Sequence, residues 1–171
     1  MNESTPAREY YTAQEISDLL FEFGAQTTLV HNEDEAVMLE LERGTDTLQL
    51  DFGQPQEFYN DVLCRSWVFV PSAPHRACDR WNELPYFGAF SVVYDEHDAP
   101  VKTEHGFAIR GVIQIDFDRC KSELDLVMQI LMFWFGLNLI QDLVTSGETN
   151  LAKIDRLSVR GELSRWWLGE E

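Results

Sequence analysis

The chain has 171 residues, of which 44% are hydrophobic and 25% charged, a composition that fits one folded domain and excludes a disordered or collagen-like chain. Thirteen basic residues against 30 acidic ones give a net charge of −17. Because nucleic acids and anionic membranes are bound mainly through Lys and Arg, this charge argues against both as partners. The charge fits a soluble protein whose molecules repel one another and so do not aggregate. It also fits an acidic surface that selects basic segments of a partner.

Cysteine usage and the apolar stretches indicate a cytoplasmic protein. Cys64, Cys78 and Cys120 form an odd set without a C-x-x-C pair, which favours a reducing compartment. Residues 1–6 have neither a basic nor an apolar run, so no signal peptide is predicted. The longest apolar stretch, residues 126–140, is shorter than the ~20 residues of a membrane span and predicts a core helix.

The first half of the chain predicts one helix followed by strands. Thr12 and Glu15 have the spacing of a capping box, and Gly24 is placed to end the helix that they begin. Alternating or β-branched apolar residues then predict strands. These strands cover residues 27–31, 36–43, 47–52 and 62–70.

The second half predicts a short helix, two strands and a long helix, over residues 77–84, 87–94, 101–109 and 119–144. Ser122 is placed to cap the long helix. The resulting order, α-β-β-β(β)-α-β-β-α, predicts an α+β fold: an antiparallel sheet with helices packed on one face. We expect a single domain over residues 1–147 and a C-terminal helical tail over residues 148–171.

The long helix is apolar nearly all round, whereas an ordinary surface helix has one apolar stripe. It must therefore be covered on two sides. One cover is the sheet, and the other is either a second copy of the chain or the C-terminal tail. Phe133, Leu137 and Ile140 lie on one stripe of this helix, and we interpret them as candidate partner-binding residues.

The tail combines basic residues with an apolar end. Lys153, Arg156 and Arg160 share one side of a predicted helix, and Trp166 and Trp167 follow near the end of the sequence. The tail is either an intramolecular strap that packs its tryptophans on the body, or a detachable arm that exchanges between copies. Because Trp is typical of interface anchors, Trp166 and Trp167 are also candidate partner-binding residues.

Motifs that carry chemistry are absent from the sequence: it contains no phosphate-binding glycine loop, no nucleophile elbow and no H-E-x-x-H. His75 and Cys78 have a spacing that a metal could use, but no second ligand pair accompanies them. The acidic turn at residues 95–98 is best interpreted as a solvated hairpin tip. Arg110 is a candidate ion-pair partner of Asp116 or Asp118. We expect no catalytic residues, no metal and no cofactor.

One segment carries a family resemblance. Trp81-Asn82 at the end of a short helix and Phe87-Gly88 at the start of a strand precede a polar hairpin and a long apolar helix. This succession, over about residues 12–145, resembles the YbjN family of bacterial sensory-transduction regulators, although Asp79 stands where the family motif has Asn. The resemblance implies a fold similar to type III secretion chaperones. It implies no catalytic residues, and structural roles for Trp81 in the core and Asn82 at the following turn.

These observations together predict a non-enzymatic protein-binding module in the bacterial cytoplasm, acting in regulation or stress response, and a homodimer. A secretion-type chaperone that holds an extended protein segment is an alternative. A small-ligand-binding domain is another, with an apolar pocket in the aromatic region around Trp67, Trp81 and Trp134.

Overall fold

The computed structural model describes residues 5–31, 35–44, 46–83, 88–147, 159–161 and 165. It shows an α+β fold built on a seven-stranded antiparallel sheet, which confirms the predicted fold class. The elements are α1 (Ala13–Glu22), β1 (Thr27–His31), β2 (Val37–Arg43), β3 (Asp46–Gly53), β4 (Asp61–Val70), α2 (Pro74–Trp81), β5 (Ala89–Val92), β6 (Lys102–Thr103), β7 (Gly106–Asp116) and α3 (Glu123–Thr145). The strand order is β1-β2-β3-β4-β7-β5, and β6 also pairs with β7.

Local signals in the first half are confirmed. The Thr12 Oγ1 atom accepts a hydrogen bond from the Glu15 backbone N–H at 3.1 Å, and the Glu15 carboxylate accepts one from the Thr12 backbone N–H at 2.8 Å. Gly24, with φ of +78°, follows the end of α1 as predicted. Strands β1 to β4 are consecutive neighbours in the sheet, as expected for strands joined by short connections.

The short helix lies three residues earlier than predicted, at Pro74–Trp81 instead of residues 77–84. Pro74 lies in the first turn of this helix, where a backbone N–H has no partner within the helix and its absence costs nothing. Proline therefore marks the start of the helix. Trp81 is 5% exposed and packs edge-to-face on Phe90 with 5.3 Å between ring centroids. This confirms the expected role of Trp81 in the core.

The bounds predicted for the strand over residues 101–109 are wrong. The chain makes only the two-residue strand β6, turns at residues 104–105, and then runs as β7 from Gly106 to Asp116. Gly106 permits the turn because its φ is +122° and its Cα lies against the Val70 backbone. The long helix correspondingly begins later than predicted, at Glu123, after a 3₁₀ turn at Phe117–Arg119. Ser122 caps it, accepting from the Asp125 N–H at 3.1 Å.

Helices α1, α2 and α3 pack on one face of the sheet, which we call the inner face. Strand β4 alternates strictly between buried residues on this face and partly buried residues on the other. The inner face of β7 meets α3 at Gly111, and the inner face of β5 meets α2 at Phe90. Ser17 of α1 shares a hydrogen bond with Thr27 of β1. The opposite face, which we call the outer face, has none of α1, α2 and α3 across it.

Helix α3 is covered all round at its centre. Five consecutive residues, 133–137, are buried, and five residues span more than one helical turn. This burial arises within a single chain, so the second cover of the helix comes from the chain itself at this point. Val159, in the predicted tail, is 1% exposed and belongs to the same hydrophobic core. At this residue the tail packs on the body of the same chain.

Candidate partner-binding surface

The outer face carries a row of apolar side chains on its two longest strands. Residues opposite each other in an antiparallel pair share a face, so Trp67 lies beside Arg110 and Arg65 beside Val112. Leu63, Trp67 and Val112 are partly buried and lie on the face opposite α1, α2 and α3. An apolar row on an uncovered sheet face is typical of an interaction surface.

A charged pair lies within this row, because Arg65 stands between Leu63 and Trp67 on the same face of β4 and opposite Val112. The Arg65 guanidinium donates to the Asp51 carboxylate at 2.5 Å, and both side chains are less than one-third exposed. Next to this pair, the Gln49 amide donates to Glu40 at 2.7 Å. Polar side chains of β3 on this face thus have partners on both neighbouring strands, Glu40 on β2 and Arg65 on β4. The apolar side chains of β4 and β7 on this face are not covered by α1, α2 or α3.

The end of the outer face where β4 begins is acidic. Asp61 and Asp116 lie opposite each other in the register of β4 and β7. The Gln114 amide lies near both, donating to Asp61 at 2.6 Å and to Asp116 at 3.4 Å, and Arg119 pairs with Asp116 at 3.0 Å. Like charges placed directly opposite on a sheet are unfavourable, so this end of the face favours a positively charged neighbour.

Two exposed aromatic residues lie in the chain segments that precede α1 and β4. Tyr11 and Tyr59 form an isolated antiparallel bridge and are both buried. Tyr10 and Phe58, which precede them in the chain, are 51% and 49% exposed. The neighbouring carboxylate of Glu9 accepts a hydrogen bond from Tyr10, and this raises the pKa of the Tyr10 phenol. Exposed rings bordered by carboxylates suit contact with Lys or Arg side chains.

The candidate residues on α3 lie elsewhere. Phe133, Leu137 and Ile140 are 3%, 1% and 0% exposed, so the chain itself covers them and no partner reaches them in this structure. Their apolar character reflects the core, in which Leu137 faces Gly111 of β7. Trp166 and Trp167 lie outside the described residues. The three candidates that the structure describes thus belong to the core and form no exposed surface.

His75 and Cys78, whose spacing a metal could use, have different surroundings in the structure. His75 contacts the Tyr94 hydroxyl at 2.5 Å, whereas Cys78 is buried. Burial raises the pKa values of the Cys78 and Cys120 thiols to about 11 and raises that of Cys64 as well, so all three are protonated at neutral pH. Within the described part of the chain, no three His, Cys, Asp or Glu side chains form a group able to hold a metal ion.

Two further expectations are resolved by hydrogen bonds. The turn at residues 95–98 is exposed, and the Asp95 carboxylate accepts from the backbone N–H groups of His97 and Ala99 at 2.9 and 3.0 Å. This is a self-contained polar hairpin tip, as predicted. The ion pair expected of Arg110 forms instead from Arg119 to Asp116, one helical turn apart, whereas Arg110 lies in mid-strand beside Trp67.

Sequence reasoning missed the outer face, although the signal was present. Residues 61–70 alternate between two sets, and Leu63, Trp67 and Phe69 fall in the set that does not include Val62, Cys64 and Val68. A strand with apolar residues in both sets is covered on both faces or presents one of them to a partner. An interpretation of residues 61–70 as a uniformly apolar strand does not separate the set that faces the core from the set on the outer face.

Helix α3 is the one helix among the described residues long and apolar enough to cross a membrane, and half of its most apolar window is buried inside the fold. A buried core helix meets the same criteria of length and composition. Comparison with known proteins adds no identification: no family model, curated protein or solved structure matches this chain.

Proposed function

We propose that this protein is a non-enzymatic protein-binding module that holds a basic, partly apolar segment of a partner protein along the outer face of its sheet. The observation that carries the proposal is the set of apolar side chains Leu63, Trp67 and Val112 on the face that α1, α2 and α3 leave uncovered. Partly exposed apolar side chains in the middle of a sheet bury further surface when a partner lies across them.

Charge supports the choice of a basic segment. The chain carries a net charge of −17, and the acidic end of the outer face places Asp61 opposite Asp116. Complementary charge speeds association and rejects acidic competitors, while the apolar row supplies the buried contact area. The resemblance to the YbjN regulators supports a role in bacterial regulation or stress response. A secretion-type chaperone would use the same binding mode.

The experiment begins by capturing a stoichiometric partner of the full-length protein from lysate of its native host and identifying that partner. Affinity for the purified partner is then measured by calorimetry for wild type and for Val112→Lys, which places a positive charge within the apolar row. We expect binding at least about tenfold weaker, equivalent to ~1.4 kcal/mol. We also expect binding to weaken as salt is raised.

The matched control is Phe21→Lys, which adds the same charge at a 65% exposed residue of α1, away from the outer face. This variant should bind as wild type does. Equal loss in both variants, or full affinity of Val112→Lys, contradicts the proposal. Light scattering on the purified protein tests whether a second copy occupies the face, since Val112→Lys would then convert dimers to monomers.

A further inference from the structure

Strand β1 forms an open edge of the sheet. It lies at one end of the strand order and, among the described strands, pairs with β2 alone, through five residues without a register shift. Three of these five residues are exposed, and the central one, Leu29, is 54% exposed. Proteins usually protect such an edge with charged residues, proline or bulges, because its unpaired backbone groups accept any strand that comes beside it. Residues 27–31 contain no Asp, Glu, Lys, Arg or Pro, so β1 lacks this protection.

Two other open stretches of the sheet are each occupied by an amide side chain. Beyond the residues through which β3 pairs with β4, Gln141 accepts from the Phe69 N–H at 2.6 Å and donates to the Phe69 carbonyl at 3.2 Å. Asn82 makes the same two hydrogen bonds with Phe90 of β5. A side-chain amide offers the donor and acceptor of a backbone peptide, so each amide takes the place of a neighbouring strand. Among the described residues, no side chain bonds to the backbone of β1 in this way.

The pairing of β2 determines which backbone groups of β1 face the open edge. Arg43 and Asp46 pair across the two-residue connection between β2 and β3, and residues that flank such a connection form a hydrogen-bonded pair. Such pairs recur at every second residue, so the backbone groups of Glu40 point to β1 instead, where Glu40 lies opposite Thr28. The residues of β1 whose N–H and C=O groups point away from β2 therefore alternate with Thr28. They are Thr27, Leu29 and His31.

These three residues are arranged symmetrically about Leu29. If two copies of β1 run antiparallel with Leu29 on the two-fold axis, Leu29 lies opposite Leu29 of the second copy, and Thr27 lies opposite His31 of the second copy. Each such pair exchanges two hydrogen bonds, so every outward backbone group of β1 finds a partner. Leu29 shares a face with Thr27, whose hydroxyl bonds to Ser17 of α1, so the two leucines meet on the inner face. No carboxylates are placed opposite each other within the paired strands, although each chain has a net charge of −17.

We propose that β1 pairs with β1 of a second copy of this chain and joins the two sheets into one. A second copy fits this edge better than the basic segment proposed for the outer face, because β1 has no carboxylate that would select a basic strand. The edge lies three strands from β4 in the strand order, so this pairing leaves the apolar row of the outer face open. Pairing through five residues buries less than the roughly 1,200 Å² of a standard interface, so we expect a dissociation constant in the micromolar to millimolar range.

Sedimentation equilibrium of the full-length protein from about 10 μM to about 1 mM measures this association. We expect the wild type to dimerise in this range and Leu29→Lys to dimerise at least about tenfold more weakly, because like charges directly opposite each other on neighbouring strands repel. Tyr94→Lys is the matched control: it adds the same charge at a 47% exposed residue after β5, at the other end of the strand order, and should dimerise as wild type does. A wild type that stays monomeric over the whole range overturns the proposal. Dissociation of a dimer by Val112→Lys and not by Leu29→Lys overturns it as well, since the second copy would then lie on the outer face.

Cross-linking tests the register. On the axis of the proposed pairing the two Leu29 Cα atoms lie about 5.5 Å apart, within the range of a disulfide, so Leu29→Cys should form a covalent dimer under mild oxidation. Thr28 lies opposite Val30 of the second copy, which places the two Thr28 Cα atoms about 8 Å apart, so Thr28→Cys should cross-link poorly. The wild type, whose three cysteines are buried, sets the background. Equal cross-linking of the two variants, or of neither above this background, contradicts the proposed pairing.

Discussion

Gly111 of β7 lies directly beneath Leu137 of α3, so close that a Cβ atom at this glycine would come within 3.0 Å of both terminal carbons of the leucine. The same Cβ would lie 3.4 Å from the Phe90 ring. Helix, central strand and edge strand therefore meet where one residue has no side chain. This contact determines how closely α3 packs on the sheet. Because the contact lies on the inner face, α3 does not cover the apolar side chains of the outer face.

Gly111→Val should destabilise the protein by about 1–3 kcal/mol, because a branched side chain would push Leu137 and Phe90 apart in a packed core. Urea unfolding followed by circular dichroism measures the change. The control is Val112→Ala, at the next residue on the outer face, which should cost less because its side chain is only partly buried. If Gly111→Val were as stable as wild type, α3 could move away from the sheet without loss of folding free energy, and the prediction would be wrong.

Gly106→Ala should be more severe, about 3 kcal/mol or more, because the obstacle is backbone. The added Cβ would lie 2.5 Å from the Val70 carbonyl oxygen, and the φ of +122° is one that residues with side chains rarely adopt. Gly44→Ala is the matched control: its φ is +61°, but nothing lies within 4 Å, so it should lose only about 1–2 kcal/mol. Equal losses would indicate that conformation alone, without the contact to Val70, decides the effect.

Asn82 connects the end of α2 to β5, and its loss should loosen that connection. Its side chain donates to the Phe90 carbonyl at 3.0 Å and accepts from the Phe90 N–H at 2.7 Å. Asn82→Ala should cost about 1–2 kcal/mol and speed hydrogen exchange at the Phe90 amide. Asn82→Asp retains the acceptor but not the donor. Hydrogen exchange at the Phe90 amide should therefore be faster in this variant than in wild type and slower than in Asn82→Ala. Unchanged exchange in both variants would contradict the role assigned to Asn82.

The parts of the fold that were predictable depend on local chemistry. The capping box of Thr12 and Glu15 and the Ser122 cap involve residues three apart in sequence, so their spacing alone indicates a helix start. The sequence alone did not predict that the strand continues through Gly111. Glycine is required there because Leu137, 26 positions further along the chain, occupies the space that a side chain would need. Local pattern thus found the elements, whereas distant packing set the bounds of β7.

The candidate site was harder to predict, since apolarity does not say what covers a residue. Phe133, Leu137 and Ile140 are as apolar as an interface requires, yet the chain buries them itself. Trp67 is equally apolar and lies on the face that α1, α2 and α3 leave uncovered. Only the assignment of each strand residue to the inner or the outer face separates these cases, and that assignment requires knowing where the helices pack.

The buried thiols should make stability fall at alkaline pH. Burial raises the pKa values of Cys78 and Cys120 to about 11, whereas an unfolded thiol titrates near about 8.5. The folded state therefore holds these protons to higher pH, and the resulting stability is present below about pH 8.5 and lost as the pH rises toward 11. Urea unfolding at several pH values measures this loss, and Cys120→Ala should show a smaller loss than wild type.

The same shift predicts slow thiol chemistry in the native protein. At pH 8 a thiol with a pKa near 11 has about two orders of magnitude less thiolate than an unfolded one, and the thiolate is the reactive form. A chromogenic disulfide reagent should modify all three cysteines rapidly in urea and only slowly without it. Rapid modification of the folded wild type would contradict the burial of these residues, since reaction requires both ionisation and access to the sulfur atom.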